Sequence, residues 1–192
     1  GKRPSIVDKR TGERTPVELF VGVLGASSFT FAEATRTQQG VDFIQSHVRM
    51  LEYFGGAPAL ITPDQLKSGV TTSSWYDPDI QRTYEELAEH YSTAVLPARP
   101  RKPRDKAKVE VAVQVVQRWI VMRLRHRRFF SEREANEAIR ELLTYLNNRP
   151  FRKRRDECRA SLFARIDRPA LKPLPAERYD LSLWVQARVN ID

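Results

Sequence analysis

Residues 59–64 read Ala59-Leu60-Ile61-Thr62-Pro63-Asp64, a short apolar run that a proline closes and a carboxylate follows. Apolar residues of strand length bounded by a breaker read as a buried strand, so Asp64 stands just past a strand end. A second acid stands in an unlike setting. Glu110 closes Arg99-Pro100-Arg101-Lys102-Pro103-Arg104-Asp105-Lys106-Ala107-Lys108-Val109-Glu110 and is set among six cations. Two carboxylates can hold a hard divalent cation over a phosphodiester while the surrounding Lys and Arg attract the polyanion. The pair points to metal-dependent chemistry on DNA.

Upstream of residue 59, Ser5 to Val7 and Val17 to Leu24 read as strands joined by the turn Asp8-Lys9-Arg10-Thr11-Gly12, and Phe29 to Thr35 as a third antiparallel strand. Val41, Ile44, Val48 and Leu51 recur at helical spacing, and Gly55-Gly56 stops that helix. Downstream, Asp77-Pro78 opens a helix with Ile80, Tyr84, Leu87 and Tyr91 on one face, and Thr93 to Leu96 makes a fifth strand. Prolines make Pro97 to Arg104 a loop. From Lys108 an apolar helical stripe runs through Val109, Ala112, Val113, Val116, Ile120 and Leu124, placing Glu110 in its first turn. Ser131 and Glu134 form a capping box for a helix that turns Ala135, Ala138, Ile139, Leu142 and Leu146 to the core. Asn147-Asn148-Arg149-Pro150 ends it, Cys158 to Ile166 is a short helix, and Pro169 to Pro175 reads as a linker to residues 179–192. Three antiparallel strands followed by two parallel ones through helical crossovers give an α/β class. The expected architecture is a mixed five-stranded sheet in 3-2-1-4-5 order flanked by helices.

The 192 residues, 41% hydrophobic and 30% charged, suffice for one substantial core and argue against a disordered chain. The charge is uneven: Arg99 to Arg128 holds eleven Lys/Arg against Asp105 and Glu110, a surplus equal to the +9 of the whole chain. Arg99, Arg101, Lys102, Arg104, Lys106 and Lys108 are the candidate phosphate contacts, which position DNA without reading its sequence. Cys158 is the one cysteine, which excludes an internal disulfide or Cys-based zinc site and fits a reducing, cytoplasmic setting. His47, His90 and His126 sit in unrelated local patterns and read as structural or solvent-facing. Trp75 and Tyr76 either stack on a distorted base or pin their loop to the surface. Trp119 reads as packing. No stretch has the pattern of a signal peptide or membrane span.

Taken with the element order, Ile61-Thr62-Pro63-Asp64 and Lys106-Ala107-Lys108-Val109-Glu110 resemble the ribonuclease H-like integrase core of DDE transposases. Leu19-Phe20-Val21-Gly22-Val23-Leu24-Gly25-Ala26-Ser27-Ser28 and Asn147-Asn148-Arg149-Pro150-Phe151 resemble the IstA-type insertion-sequence transposases more closely. The resemblance implies a two-metal site, with Mg²⁺ or Mn²⁺ held by three carboxylates, that cleaves transposon ends and joins them to target DNA. It also implies a homo-oligomer on DNA and an AAA+ ATPase helper. Asp64 matches the second carboxylate and Glu110 the third. Their interval is longer than in retroviral-type integrases, which implies an insertion around Thr71 to Pro78.

The first carboxylate belongs inside the first strand, yet Lys2 to Val7 holds no acid, and Asp8 has the chemistry of a hairpin turn. The family motif reads Asp, aromatic, small, Gly, so Gly1 matches its last residue and the acid is expected just upstream. The expected organisation is a catalytic core over 1–130, a helical extension over 131–168, and a linker over 169–192 leading to a C-terminal β-barrel. By itself the chain is expected to be inactive. Two other readings stay open: a metal-dependent nuclease on the same fold, and a catalytically incomplete DNA-binding or assembly module.

Overall fold

The computed structural model describes residues 4–37, 40–63, 78–96 and 103–181, with the backbone alone for 78–81 and 103–107. Among the described residues six strands form: β1 (Ser5–Val7), β2 (Arg14–Pro16), β3 (Glu18–Val23), β4 (Thr30–Thr35), β5 (Leu60–Ile61) and β6 (Ala94–Val95). The helices are α1 (Gly40–Phe54), α2 (Pro78–His90), α3 (Pro103–Val116), α4 (Met122–Leu124), α5 (Glu132–Asn148) and α6 (Arg159–Leu162). A π-helical turn, Gln117–Val121, joins α3 to α4, and another, Phe163–Asp167, follows α6. Helix α3 begins earlier than the apolar stripe suggests. Pro103 stands at its first position, where a missing N–H costs nothing, so the loop expected to run to Arg104 ends sooner.

Among the described residues the strands join as three two-stranded pairs, β1–β2 and β3–β4 antiparallel and β5–β6 parallel, and the expected five-stranded sheet is not formed by these strands alone. The reason lies in β1. One of its edges is held by β2, a return strand distinct from β3. On the other, Val7 N–H donates to Phe129 O at 2.7 Å, and Ile6 bridges Phe129. With both edges used, β1 is not a central strand, and no described strand stands between β3 and β5.

The alternation of β3 and β4 splits the core. Phe20 and Phe31 face α1, and Leu19, Val21, Ala32 and Ala34 face α3 and α5. Gly22 lets α1 approach, since a Cβ there would meet Met50 Sδ at 2.2 Å. Helix α1 buries Ile44, Val48 and Leu51, as its spacing requires. It ends in a Schellman motif: Gly56 N–H donates to Leu51 O at 3.2 Å, Gly55 N–H to Glu52 O at 3.1 Å, and Gly55 takes φ 69°.

Ser131 caps α5 as expected. Its Oγ accepts from Glu134 N–H at 3.1 Å, while Glu134 Oε2 accepts from Phe130 N–H at 2.9 Å. The helix lies along the open edge of β4 and is part of the core. Residues 171–181, within the stretch read as a linker, also pack onto the core. Lys172 and Ala57 exchange both backbone hydrogen bonds at 2.9 Å, and Leu171, Leu174, Tyr179 and Leu181 join the α1–α2 cluster. Apolar residues between the prolines supply the burial that a solvated linker lacks.

Candidate active site

Between β3 and β5, roofed by α1 and floored by α3, lies a cavity of about 930 Å³. The antiparallel register explains why it opens there. Leu24 N–H bonds to Phe29 O at 3.0 Å, so even-numbered residues of β3 bond to β4 and the backbone of Leu19, Val21 and Val23 points to the other edge. At the mouth of that edge Val17 N–H bonds to Pro4 O at 3.0 Å. The lining is mainly apolar, from Val21, Met50, Ile61, Val113 and Val116 among others.

Pro63 and Val109 both border this cavity. Each immediately precedes an expected site residue. Glu110 lies exposed on α3, and Asp64 falls outside the described residues. Lys108, also exposed, donates its ammonium to Gly25 O and so ties the start of α3 to the end of β3. Arg104 and Lys106 belong to the first turns of α3. Arg99, Arg101, Lys102, Trp75 and Tyr76 lie outside the described residues, as does the insertion expected around Thr71 to Pro78, apart from Pro78 itself.

Asp8 is a turn residue. Its Oδ1 accepts from Arg10 N–H at 2.7 Å and Thr11 N–H at 2.8 Å, and these bonds hold its carboxyl below the usual range. Gly12 completes the turn at φ 73°. His47 is buried. Its Nδ1 donates to Phe43 O at 2.9 Å and its Nε2 accepts from Tyr84 Oη at 2.9 Å. Burial pushes it down to about 4, so the ring is neutral at ordinary pH. His90 Nε2 meets Glu177 O at 3.0 Å, and exposed His126 accepts from Arg125 Nε at 2.9 Å. Cys158 caps α6, its Sγ accepting from Ser161 N–H at 3.3 Å, and the thiol is shifted down despite the opposing effect of burial. Among the described residues no three His, Cys, Asp or Glu gather as a metal would require. No described helix is long and apolar enough to cross a membrane.

Sequence reasoning missed Glu33, an acid buried within β4. Arg49 clamps it bidentately, Nε to Oε2 at 2.7 Å and Nη2 to Oε1 at 2.8 Å. The alternation of β4 could have flagged it, because Glu33 shares a face with Phe31. The clamp assigns it to structure.

No family model matches the chain. Similar proteins do. A relative from Burkholderia multivorans, named as transposase for insertion sequence IS408, is 50% identical over 181 residues, covering 94% of this chain and 35% of the relative. The transposase for insertion sequence element IS21 of Pseudomonas aeruginosa is 27% identical over 94% of this chain and 46% of its own length. Among solved structures, the catalytic core domain of BIV integrase aligns with a TM-score of 0.59 at 11% identity, over 88% of this chain and 98% of that domain. The HTLV-2 integrase catalytic core domain in complex with magnesium gives 0.54 at 14%, over 85% and 99%. At such identities the structural likeness establishes an α/β fold of the integrase-core kind. The chain spans about a third of the length of the IS408 relative. On its sequence relationship, the chain belongs to the insertion-sequence transposases, as the counterpart of that segment.

Proposed function

We propose that the chain is the catalytic core of a DNA transposase that cleaves insertion-sequence ends and joins them to target DNA with divalent metal. The observation that carries this reading is the 50% identity to an insertion-sequence transposase across 94% of the chain. The integrase-core fold agrees with it, and a bound magnesium belongs to one structural neighbour. Asp64 and Glu110 are the proposed metal-holding carboxylates. In support, the residues before them, Pro63 and Val109, border one cavity, and hard cations favour carboxylate oxygen. When bound, the metals would activate the attacking oxygen and stabilise the leaving one. The cations from Arg99 to Lys108 would hold the phosphate backbone beside them.

The five-stranded sheet belongs to the same reading. The cavity separates β3 from β5, both edges are free of described strands, and the relatives supply polypeptide beyond this segment. A strand entering there, antiparallel to β3, would carry the first carboxylate. An AAA+ helper and a homo-oligomer on DNA complete the proposal.

The test is made in the complete protein with magnesium, using uncut DNA ends to read cleavage and pre-cut ends to read joining. Asp64→Asn and Glu110→Gln should each abolish cleavage and joining while leaving DNA binding nearly intact, since an amide keeps the shape and loses the charge that recruits metal. Joining by either variant at the parent rate overturns the assignment. Cleavage without joining by the parent favours the nuclease reading.

A further inference from the structure

Trp119 follows Glu110 by nine residues on one continuous helical rod, roughly half a turn around it at 3.6 residues per turn, an angle that the wider π-helical turn at Gln117–Val121 reduces somewhat. Val109 and Val113 border the cavity, but Trp119 does not. Its ring lies toward α5, with its centroid 6.3 Å from that of Tyr145. Two arginines stack on these rings. The Arg149 guanidinium sits 3.6 Å from the Trp119 centroid, and that of Arg123 sits 5.1 Å from Trp119 and 4.8 Å from Tyr145.

We propose that Arg123 and Arg149, held by Trp119 and Tyr145, form a second DNA-backbone contact surface on the side of the α3–α4 rod turned away from Glu110. Stacking occupies the flat face of a guanidinium and leaves the N–H donors at its edge unspent. Among the described residues neither arginine makes an ion pair or a side-chain hydrogen bond, and both are exposed. Glu141, one turn before Tyr145 on α5, pairs with neither of them. Each arginine thus offers oriented donors whose ordering the rings have already bought, which is the condition for a bidentate grip on phosphate. The surroundings favour a polyanion over a protein partner, because Arg127 and Arg128 are exposed nearby in sequence and, among the described residues, also lack carboxylate partners. Lying opposite Glu110, the surface would grip a second stretch of duplex, or the far side of a bent one, while the catalytic face engages the scissile strand.

The inference rests on the reading of DNA as the substrate. In the complete protein, duplex-DNA affinity is measured across a salt series for the parent and for Arg123→Ala/Arg149→Ala. Loss of two phosphate contacts should flatten the slope of log affinity against log salt by about 1.8, at ~0.9 per phosphate. A second readout leaves both arginines in place. In a background where every other tryptophan of the complete protein is replaced by phenylalanine, Trp75 and Trp184 among them, the emission of Trp119 should shift on adding duplex and return at high salt. An unchanged slope in a folded double variant overturns the surface and leaves the transposase reading standing. If the double variant fails to fold, the fluorescence decides alone, and emission indifferent to saturating duplex overturns the surface. A parent that binds no duplex at all overturns both.

Discussion

Asn136 closes both backbone groups of Ala34. Its Oδ1 accepts the Ala34 N–H at 2.7 Å, and its Nδ2 donates to the Ala34 carbonyl at 2.9 Å. Asn147, eleven residues along the same helix, repeats the ring on Thr30, accepting at 3.1 Å and donating at 2.8 Å, and reaches Tyr53 Oη at 3.1 Å. Together the two amides stand in for a neighbouring strand along the open edge of β4, which otherwise would invite pairing with another chain.

Removing either amide leaves two buried backbone groups unpaired, at about 1–3 kcal/mol each. Asn136→Ala is therefore expected to lower the unfolding free energy by about 2–6 kcal/mol in a urea titration. Asn136→Asp, which keeps the acceptor and loses the donor, should fall between Ala and the parent at neutral pH.

His47 ties stability to pH. Its folded value of about 4 lies below the ordinary 6.5, so the unfolded chain takes up a proton first as pH falls. The contribution is fully present above pH 6.5. It is lost progressively down to pH 4, by up to about 3 kcal/mol. Unfolding measured at pH 7.5, 6, 5 and 4 should show the decline, and His47→Leu should flatten it whatever that variant's stability at pH 7.5.

Gly56 has no room for a side chain. A Cβ would meet Leu171 Cβ at 2.7 Å and the Lys172 carbonyl at 2.8 Å, and the second is backbone in the Ala57–Lys172 bridge. Gly56→Ala should lower the melting temperature and raise hydrogen exchange at Lys172, at a cost of about 1–3 kcal/mol. Gly12→Ala serves as a contrast, because nothing lies within 4 Å of its Cβ position and only the φ of 73° opposes it.

The Glu33–Arg49 clamp predicts asymmetric damage. Glu33 is 6% exposed as a residue, whereas the Arg49 side chain is 34% exposed. Glu33→Gln should cost about 1–3 kcal/mol, less than a fully buried pair because water reaches the arginine. Glu33→Gln/Arg49→Met should recover part of that loss in thermal melts, since the orphaned cation is gone.

The local elements were legible where the residues carry their own geometry. The period of Ile44, Val48 and Leu51, the Gly55-Gly56 stop, the Ser131/Glu134 cap and the Asp8–Gly12 turn all form as their chemistry dictates. Hydrogen-bond partners within a few residues leave little for distant chain to change. The string Asn147-Asn148-Arg149-Pro150-Phe151 was legible as a family mark, but its physics was not. Asn147 bonds to Thr30, 117 positions away, and Arg149 stacks on Trp119. The Pro-spaced stretch after residue 169 misled because proline frequency reports local stiffness, while its leucines and Tyr179 find a core built by α1 and α2.

The sequence by itself determined the family, the helices and turns, the basic bias between Arg99 and Arg128, and the absence of a first-strand acid between Lys2 and Val7. All of these depend on residue identity or on spacing within a few positions. Tertiary structure alone decided that β1 is held by β2 and Phe129, that a cavity separates β3 from β5, and that Pro63 and Val109 both border it. Strand partnership and cavities arise from backbone groups that are chemically alike at every residue, so only packing among distant segments selects which of them meet.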